Sequence, residues 1–399
     1  MARILCTWEL GTDLGHLSHL RLPIQIALQL GHEVYLAARQ LDHIRDVLGD
    51  MPVVCLQAPF KQKVVAADQS AYLSYTHLMA RQCFSGVNEL EMYLRGWRAI
   101  FDLVRPDLVL FEHSPTALIA AGGYRFKKVL VGNGFNIPPS LAPCVPFAPF
   151  VTTPKTAPVL DALRADDTVL LTVINAALGR VKAPAFAGLG DIYAQADQQF
   201  LMTFPGLDQF GERLGQRYLG VESPSARQWP HWPPGRGPKV FAYLHAIPSL
   251  EPLLQDLQAA KVCALLYVRH LPPRLRDAYT SDHLYFVDHL LDLLKVAEQA
   301  AWVINHGNHN TAATFMRAGI PQLLIPMHQE QLFVALRLVA QGGAVMAYQD
   351  QPSFSKEISA LASKPQLRQQ ALLIKAQCPS QASLDAAGFI KASLQLLLV

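Results

Sequence analysis

The fold is decided by the stretch from Ala301 to Gln331, which reads AWVINHGNHNTAATFMRAGIPQLLIPMHQEQ. An apolar run of strand length ends at Asn305, turns at Gly307 and leads into a helix predicted over 310–318. A second apolar strand follows over 322–326, and another helix begins where the stretch ends. Uninterrupted apolar strands that alternate with helices are typical of a parallel sheet covered by helices on both faces. The stretch therefore predicts a doubly wound α/β domain.

The same alternation continues outward along the chain. A chain of 399 residues is too long for one ordinary core and suggests two domains of roughly 150–200 residues each. Two successive α/β domains are therefore predicted. In the first half, the pattern predicts strands over 2–8, 33–38 and 107–111, a helix over 17–30, and helical segments over about 71–104, 157–179 and 186–199.

The boundary between the two domains is expected at a proline-rich stretch, WPHWPPG, at residues 229–235. Proline stiffens a connection of this kind. The last helix of the chain is apolar toward its end, and we expect it to pack back toward the first domain. The predicted organisation is a first domain over 1–222, a linker over 223–238, a second domain over 239–380 and the last helix over 381–399.

Composition argues against several classes of function. Apolar residues make up 51% of the chain and charged residues 16%, as in a well-buried globular protein. A net charge of +3 gives no support for nucleic-acid binding. No stretch reaches the roughly 18–20 apolar residues that cross a bilayer, and no signal-peptide pattern is visible. None of the six cysteines forms a CxxC pair, so no zinc or redox site is predicted. A cytoplasmic protein without an integral membrane segment is expected.

The turn after Asn305 is the first candidate site. Amides in the first turn of a helix have no partner within the helix, and together with the helix dipole they favour an anion such as a diphosphate. Asn310 and Thr311 are residue types that cap such a terminus and also donate to phosphate oxygens. His306 lies at the carboxyl end of the strand, where ligands of open α/β sheets bind, and is placed to donate a hydrogen bond or a proton. A nucleotide-diphosphate pocket is predicted here.

A second helix start, after the next strand, carries an acid–amide pair that suits sugar hydroxyls. The motifs along this segment are the run His306-Gly307-x-x-Asn310-Thr311, then Gly319-Ile320-Pro321, then Ile325-Pro326, and finally Glu330-Gln331. Together they resemble the donor signature of family 1 glycosyltransferases, which use UDP- or dTDP-sugars and act on lipids, natural products and other small acceptors. The resemblance is specific over about forty residues and coarser over the rest of the chain.

This resemblance implies the GT-B fold, in which two Rossmann-like doubly wound domains face a central cleft. The second domain is then expected to bind the nucleotide sugar and the first to bind the acceptor. The nucleotide sugar is a co-substrate, and no cofactor or metal is expected. The donor-binding residues that the resemblance implies are His306, Gly307, Asn308, Asn310 and Thr311 for the diphosphate, and Glu330 and Gln331 for the sugar.

The chain departs from the family pattern at two positions of this segment. The family commonly has a Glu eight residues after the His, where it binds the ribose hydroxyls, and this chain has Thr314 there. The usual second Gly of the turn is replaced by Asn308. The identity of the nucleotide is therefore left open between UDP and dTDP.

A second candidate site lies between the first strand and the first helix. Gly11 and Gly15 allow a tight loop, and His16 stands at the start of the helix. The step resembles the Gly-His step of the same family, in which the His is the general base. An imidazole that titrates near neutral pH suits the removal of a proton from an acceptor hydroxyl. Glu112 is our candidate for the carboxylate that orients the ring, with Asp13 as a second possibility and His113 as a competitor.

Acceptor recognition is expected from the first domain. The glycine-containing segment after the strand near residue 131 and the proline-rich loop that follows are placed to wall the pocket, while His19 is expected to line it. The acceptor-binding residues predicted from these features are Thr12, Asp13, His19, Gly134 and Phe135.

The function predicted from these sites is an inverting, metal-independent transfer of a sugar from a UDP- or dTDP-sugar to a small-molecule or lipid acceptor. His16 is the predicted base. Two alternatives stay open. A non-catalytic, glycosyltransferase-like partner or activator protein would fit the altered donor motif, and a sugar-nucleotide epimerase on the same fold would need additional acids around the sugar.

Overall fold

The computed structural model describes residues 1–11, 14–42, 44–62, 72–140, 156–222, 228–380 and 384–399. The chain divides into two compact units. Unit 1 comprises residues 1–220 together with 381–399, and unit 2 comprises residues 221–380. Of the predicted linker, residues 223–227 lie outside the described residues. Gln228, which follows them, forms a parallel bridge with Leu291 of unit 2.

Unit 1 is built on a six-stranded parallel sheet of order β3-β2-β1-β4-β5-β6. The central strand β4 is buried along its whole length, as its uninterrupted apolar residues predict. The strands are β1 (Arg3–Trp8), β2 (Glu33–Ala38), β3 (Val53–Gln57), β4 (Leu108–Glu112), β5 (Lys127–Gly132) and β6 (Gln198–Leu201).

The helices of unit 1 bury one face against this sheet or against one another. In α4, for example, Leu90, Leu94, Trp97 and Phe101 are buried and recur every three or four residues, which places them on one side of the helix. The helices are α1 (Leu14–Gln29), α2 (Ile44–Leu48), α3 (Tyr75–Leu78), α4 (Val87–Val104), α5 (Pro115–Ala120), α6 (Thr156–Arg180), α7 (Leu189–Ala194) and α15 (Ala386–Leu397).

The last helix, α15, belongs to unit 1 although 160 residues of unit 2 precede it. Ile390 and Leu394 on α15 are fully buried in the same apolar cluster as Leu20 and Ile24 on α1. Burying an aliphatic side chain of this size stabilises a fold by about 1.5–3 kcal/mol, so these two residues help to anchor the helix on unit 1. The Arg217 guanidinium also donates to the backbone oxygen just before α15, that of Leu384, at 2.9 Å.

Unit 2 repeats the architecture with a six-stranded parallel sheet of order β12-β11-β10-β7-β8-β9. Its strands are β7 (Lys239–His245), β8 (Cys263–Arg269), β9 (Leu284–Phe286), β10 (Trp302–Asn305), β11 (Gln322–Leu324) and β12 (Ala344–Met346). Its helices are α8 (Leu250–Ala259), α9 (Pro273–Tyr279), α10 (Leu293–Ala297), α11 (His309–Ala318), α12 (Gln329–Ala340), α13 (Ser355–Ser363) and α14 (Pro365–Gln377).

The two sheets have the same doubly wound topology, which confirms the predicted fold class. In each, the first and fourth strands of the unit lie side by side, and the chain winds outward from them in both directions. Open α/β sheets bind ligands beyond the carboxyl ends of the strands at this reversal point. The reversal lies between β1 and β4 in unit 1 and between β7 and β10 in unit 2.

The structure differs from the predicted elements at several places. The helix predicted over about 71–104 is divided, because α3 passes into a π-helical turn, Met79–Cys83, and α4 starts only after Gly86. A helix was predicted over about 186–199, but α7 ends at Ala194. The prediction was wrong beyond that residue, since Gln198 already pairs with Val129 in the sheet. Three elements of unit 2 were not predicted from the sequence, namely α9, β12 and α13.

None of the helices among the described residues is long and apolar enough to span a membrane.

Candidate active site

His16 and Glu112 meet at the reversal point of unit 1. Glu112 is the last residue of β4, and His16 lies in the first turn of α1, the helix that follows β1. The His16 Nδ1 atom is 2.9 Å from Glu112 Oε1 and 3.1 Å from Oε2, and both side chains are buried. Because a carboxylate can only accept, Nδ1 carries the proton, and Nε2 is the basic nitrogen of the neutral ring. Glu112 therefore selects the tautomer of His16.

The His16 ring is held on several sides. It stacks with Trp8 on one side, at a centroid distance of 5.8 Å, and with His113 at 5.3 Å. Nε2 lies against the backbone of Gly11, where an added Cβ would overlap the ring. Gly11 also has φ +81°, a conformation that glycine adopts without strain. The loop between β1 and α1 therefore needs glycine at this position for two independent reasons.

Two further side chains bind the Glu112 carboxylate. His19 Nδ1 is 3.1 Å from Oε1, and Asn136 Nδ2 donates to the same oxygen at 2.8 Å. His19 was predicted to line the acceptor site, whereas the structure places it against the carboxylate. Asn136 was not predicted at all, because nothing in the sequence shows that the segment after β5 turns back to reach β4. Glu112 is thus the centre of a buried polar cluster.

The environment of Glu112 keeps it ionised. Burial alone would raise the pKa of this carboxyl, but the charge of His16 and the hydrogen bonds from His16 and His19 outweigh burial and lower the pKa to about 2. A permanently charged carboxylate at Nδ1 stabilises the imidazolium that forms whenever Nε2 takes up a proton. An imidazole held in this way by a carboxylate is chemically suited to accept a proton at Nε2.

Four other residues were predicted to bind the acceptor. Thr12 and Asp13 lie outside the described residues, whereas Gly134 and Phe135 are described. Phe135 is buried, and its ring approaches that of His113 edge-on at 5.9 Å. Gly134 packs against Asp208, which forms a buried ion pair with Arg213 at 2.8 Å. The loop after β5 therefore packs against Asp208 through Gly134 and against His113 through Phe135.

Glu9, which the sequence did not single out, lies directly after β1. Its carboxyl accepts from the backbone N–H groups of Thr116 at 3.0 Å and Ala117 at 3.4 Å and so joins the β1 loop to the start of α5. Burial raises the pKa of Glu9 to about 8, while the bonds from Thr116 and Ala117 and the charge of Arg39 act in the opposite direction. Glu9 is accordingly mostly protonated at neutral pH.

In unit 2, the predicted anion site is the start of α11. The helix begins at His309, one residue earlier than predicted, and Asn308 occupies the N-cap position without a side-chain bond to the helix. The turn before it depends on Gly307, which has φ +85° and whose added Cβ would lie 2.8 Å from the Gln331 backbone oxygen. The Gly307 N–H donates to Asn305 Oδ1 at 2.8 Å. These contacts hold the first turn of α11 at the reversal point of this sheet.

His306 is bound through both of its ring nitrogens. Nδ1 is 2.7 Å from the backbone oxygen of Ile325, and Nε2 accepts from the backbone N–H of His245 at 2.7 Å. The ring therefore joins the ends of β7 and β10 to the segment after β11. The sequence predicted that His306 donates to a diphosphate, but in this arrangement neither nitrogen directs a proton toward a ligand.

The same burial makes His306 sensitive to acid. Desolvation lowers the pKa of His306 from 6.5 to about 4, although the bond to Ile325 opposes the shift. Between these values the unfolded chain binds a proton that the folded chain does not, so the free energy of unfolding decreases as pH falls. We expect urea unfolding to show a loss of about 2 kcal/mol from this residue between about pH 7.5 and about pH 5. A His306→Asn variant should lose that part of the acid dependence; identical pH dependence in both proteins would contradict the assignment.

The Gln331 side chain is likewise bound within the protein. Its Oε1 accepts from the backbone N–H of Met327 at 2.8 Å, and its Nε2 donates to Asn308 Oδ1 at 2.5 Å. The amide that was predicted to bind a sugar thus joins the starts of α11 and α12. Glu330, its predicted partner, is partly exposed at the same end of α12.

Three more residues of α11 bear on the predicted nucleotide site. Asn310 is half-buried and Thr311 buried in the first turn of the helix. Thr314, which replaces the Glu of the family pattern, is buried, and its hydroxyl donates to the Asn310 backbone oxygen at 2.8 Å. That hydroxyl is engaged within the helix, as is common for Thr in helices. Among the described residues there is no group of three or more His, Cys, Asp or Glu side chains that could hold a metal ion.

Comparison with known proteins gives the fold. No family model matches the chain, and no curated protein sequence matches it. Solved structures do. The calicheamicin glycosyltransferase CalG4 is 15% identical, with 100% of this chain and 98% of that chain covered and a TM-score of 0.72. The glycotransferase of kitacinnamycin is 16% identical, with 99% and 98% covered and a TM-score of 0.70.

A further solved structure is that of the glycosyltransferase VinC in complex with dTDP. It is 15% identical to this chain, covers 99% of both chains and has a TM-score of 0.65. At these identities the likeness concerns the fold, and with the two doubly wound sheets it shows that this chain has the GT-B fold.

Proposed function

We propose that this protein is a glycosyltransferase that moves a sugar from a nucleotide diphosphate to a hydroxyl of a small-molecule or lipid acceptor. The observation that carries the proposal is the His16–Glu112 pair at the reversal point of unit 1, where Nδ1 is bound to a carboxylate of strongly lowered pKa. The GT-B fold that the chain shares with solved glycosyltransferases supports it. A cytoplasmic location belongs to the same proposal.

The reaction is a single displacement with inversion. His16 Nε2 takes the proton of the acceptor hydroxyl, and the acceptor oxygen forms a bond to the anomeric carbon. The bond from that carbon to the diphosphate oxygen breaks, and its electron pair leaves with the diphosphate. The resulting imidazolium is stabilised by Glu112, which His19 and Asn136 hold in place. General-base catalysis of this kind contributes about 10²–10⁴-fold.

Unit 2 binds the donor in this proposal, with the diphosphate at the start of α11. The backbone N–H groups of the first turn and the helix dipole favour the negative charge that grows on the leaving group. Asn310 and Thr311 stand in this turn and can add side-chain hydrogen bonds. The helix terminus supplies the charge stabilisation without a metal, so we propose a metal-independent reaction. UDP- and dTDP-sugars are the donors to test first, since VinC was solved with dTDP.

The second candidate is a non-catalytic partner of an active glycosyltransferase. It is favoured by the state of the donor-side residues, since His306 and Gln331 use their polar atoms within the protein and the Thr314 hydroxyl is bonded to the helix backbone. A partner protein would retain the fold while losing donor binding.

Donor binding and turnover separate the two candidates. Titration calorimetry with UDP, dTDP and their glucose derivatives should detect binding, and a UDP- or dTDP-release assay with a broad panel of hydroxyl acceptors should detect transfer in the presence of EDTA. Binding with metal-independent turnover is the expected result. Absence of binding by every nucleotide would contradict the enzymatic proposal, and binding without turnover would favour the partner protein.

A further inference from the structure

A cavity opens at the carboxyl edge of the unit 1 sheet, the same edge at which His16 and Glu112 lie. It has a volume of about 410 Å³ and lies where β2 and β3 end. Arg39 follows β2 directly, Phe60 lies just after β3, and Tyr93 faces them from α4. The Arg39 guanidinium lies over the Phe60 ring at 4.6 Å from its centroid. The cavity thus has an aromatic wall and a cation.

The charge of Arg39 is not neutralised by the described residues. Its one hydrogen bond there runs from Nη1 to the Glu9 backbone oxygen at 3.3 Å, and no described carboxylate lies within ion-pair distance. Half-burial lowers the pKa of this guanidinium, and the charge of Glu9 acts in the opposite direction. Glu9 is itself mostly protonated at neutral pH, because burial raises its pKa to about 8. An anion in the cavity would therefore meet a positive charge that has no ion-pair partner among the described residues.

The sheet register places this cavity within reach of the His16 site. Glu112 pairs with Trp8, Trp8 with Ala38, and Ala38 with Gln57, so all four lie in one row across the sheet. Adjacent strands are about 4.8 Å apart, so Glu112 and Ala38 are separated by roughly 10 Å. The backbone of Glu9, to which Arg39 is bonded, leads directly into the loop that holds His16. A small molecule can span this distance.

We propose that Arg39 binds a carboxylate on the acceptor, so that the acceptor is an aromatic or apolar hydroxy acid whose hydroxyl lies at His16. Planar guanidinium groups bind carboxylates in pairs of charge-assisted hydrogen bonds, and Phe60 orients the guanidinium from its face. The proposal rests on the proposed function for the role of His16. The anion site itself is independent of whether sugar transfer takes place.

The test uses a matched pair of probes, 3-(4-hydroxyphenyl)propanoate and its methyl ester, whose hydroxyl and carboxyl groups are about two strand spacings apart. Binding to the whole protein is measured by ligand-detected NMR without any nucleotide sugar. We expect the acid to bind at least about tenfold more tightly than the ester. Arg39→Gln should remove this preference, and Arg39→Lys should keep part of it.

Two more variants protect the test against a simple folding defect. Gln62→Glu places a negative charge at the exposed rim of the cavity. It should weaken binding of the acid but not binding of the ester. Arg45→Gln also removes one positive charge, but from the exposed surface of α2. It should change the affinity for neither the acid nor the ester. Equal binding of acid and ester to the wild type, no detectable binding of the acid, or an acid preference that survives Arg39→Gln or Gln62→Glu would overturn the proposal. Acid preference in a protein that transfers no sugar would refute the proposed function and leave the anion site standing.

Discussion

His16→Ala will reduce the rate of sugar transfer by about 10²–10⁴-fold, because it removes the base that accepts the proton of the attacking hydroxyl. Nucleotide binding should be unchanged, since the proposed diphosphate site lies on α11 of unit 2. The measurement is kcat for nucleotide release at saturating donor, together with calorimetric binding of the same nucleotide. The matched control is His32→Ala in unit 1, whose ring accepts a hydrogen bond from the Ala2 backbone N–H. His32 and Ala2 lie just before β2 and β1, at the opposite end of the strands from the His16 site.

A double-mutant cycle makes this prediction specific to the pair. Glu112→Gln keeps an oxygen for the Nδ1 proton but removes the charge that stabilises the imidazolium, so it too should lower kcat. If the two side chains act as one unit, the double variant will be hardly slower than His16→Ala. A His16→Ala variant with wild-type kcat would show that His16 is not the base, and full additivity of the two effects would show that Glu112 does not act through His16.

Gly307→Ala will destabilise unit 2 and weaken nucleotide binding at the same time. A side chain at φ +85° costs about 1–3 kcal/mol, and the added Cβ would also press on the Gln331 backbone oxygen at 2.8 Å. We expect a loss of about 2–4 kcal/mol in the free energy of unfolding, measured by urea denaturation. Because the turn sets the direction of the first amides of α11, the affinity for UDP or dTDP should fall at least about tenfold.

The control for this prediction is another glycine-to-alanine change. Gly179 is exposed in α6, and an added Cβ there meets nothing within 4 Å. Gly179→Ala should leave nucleotide affinity unchanged and should not lower the free energy of unfolding, because alanine is a better helix former than glycine. A Gly307→Ala variant that behaves like Gly179→Ala would mean that the turn adapts and that its geometry does not govern binding.

Much of the fold could be predicted because its strands are buried on both faces. Strands such as β4 and β10 are apolar without alternation, which a parallel sheet between two helical layers requires. The patterns failed where the element is short or rich in charge, as in β12 and α9. Such elements are stabilised by their neighbours in space, and their own residues carry little local preference.

The candidate site was also predictable only in part. The sequence alone determined that His16 follows the first strand and that Glu112 ends another, since both are read from local patterns. Only the tertiary structure decided that β1 and β4 are adjacent, with Trp8 paired to Glu112, and therefore that the two side chains meet. It also decided that Asn136 turns back to Glu112 and that both nitrogens of His306 are bound to backbone. The physical reason is that a side-chain hydrogen bond depends on which groups lie within about 3 Å, and residues 24 to 96 positions apart are brought that close only by the register of the sheet.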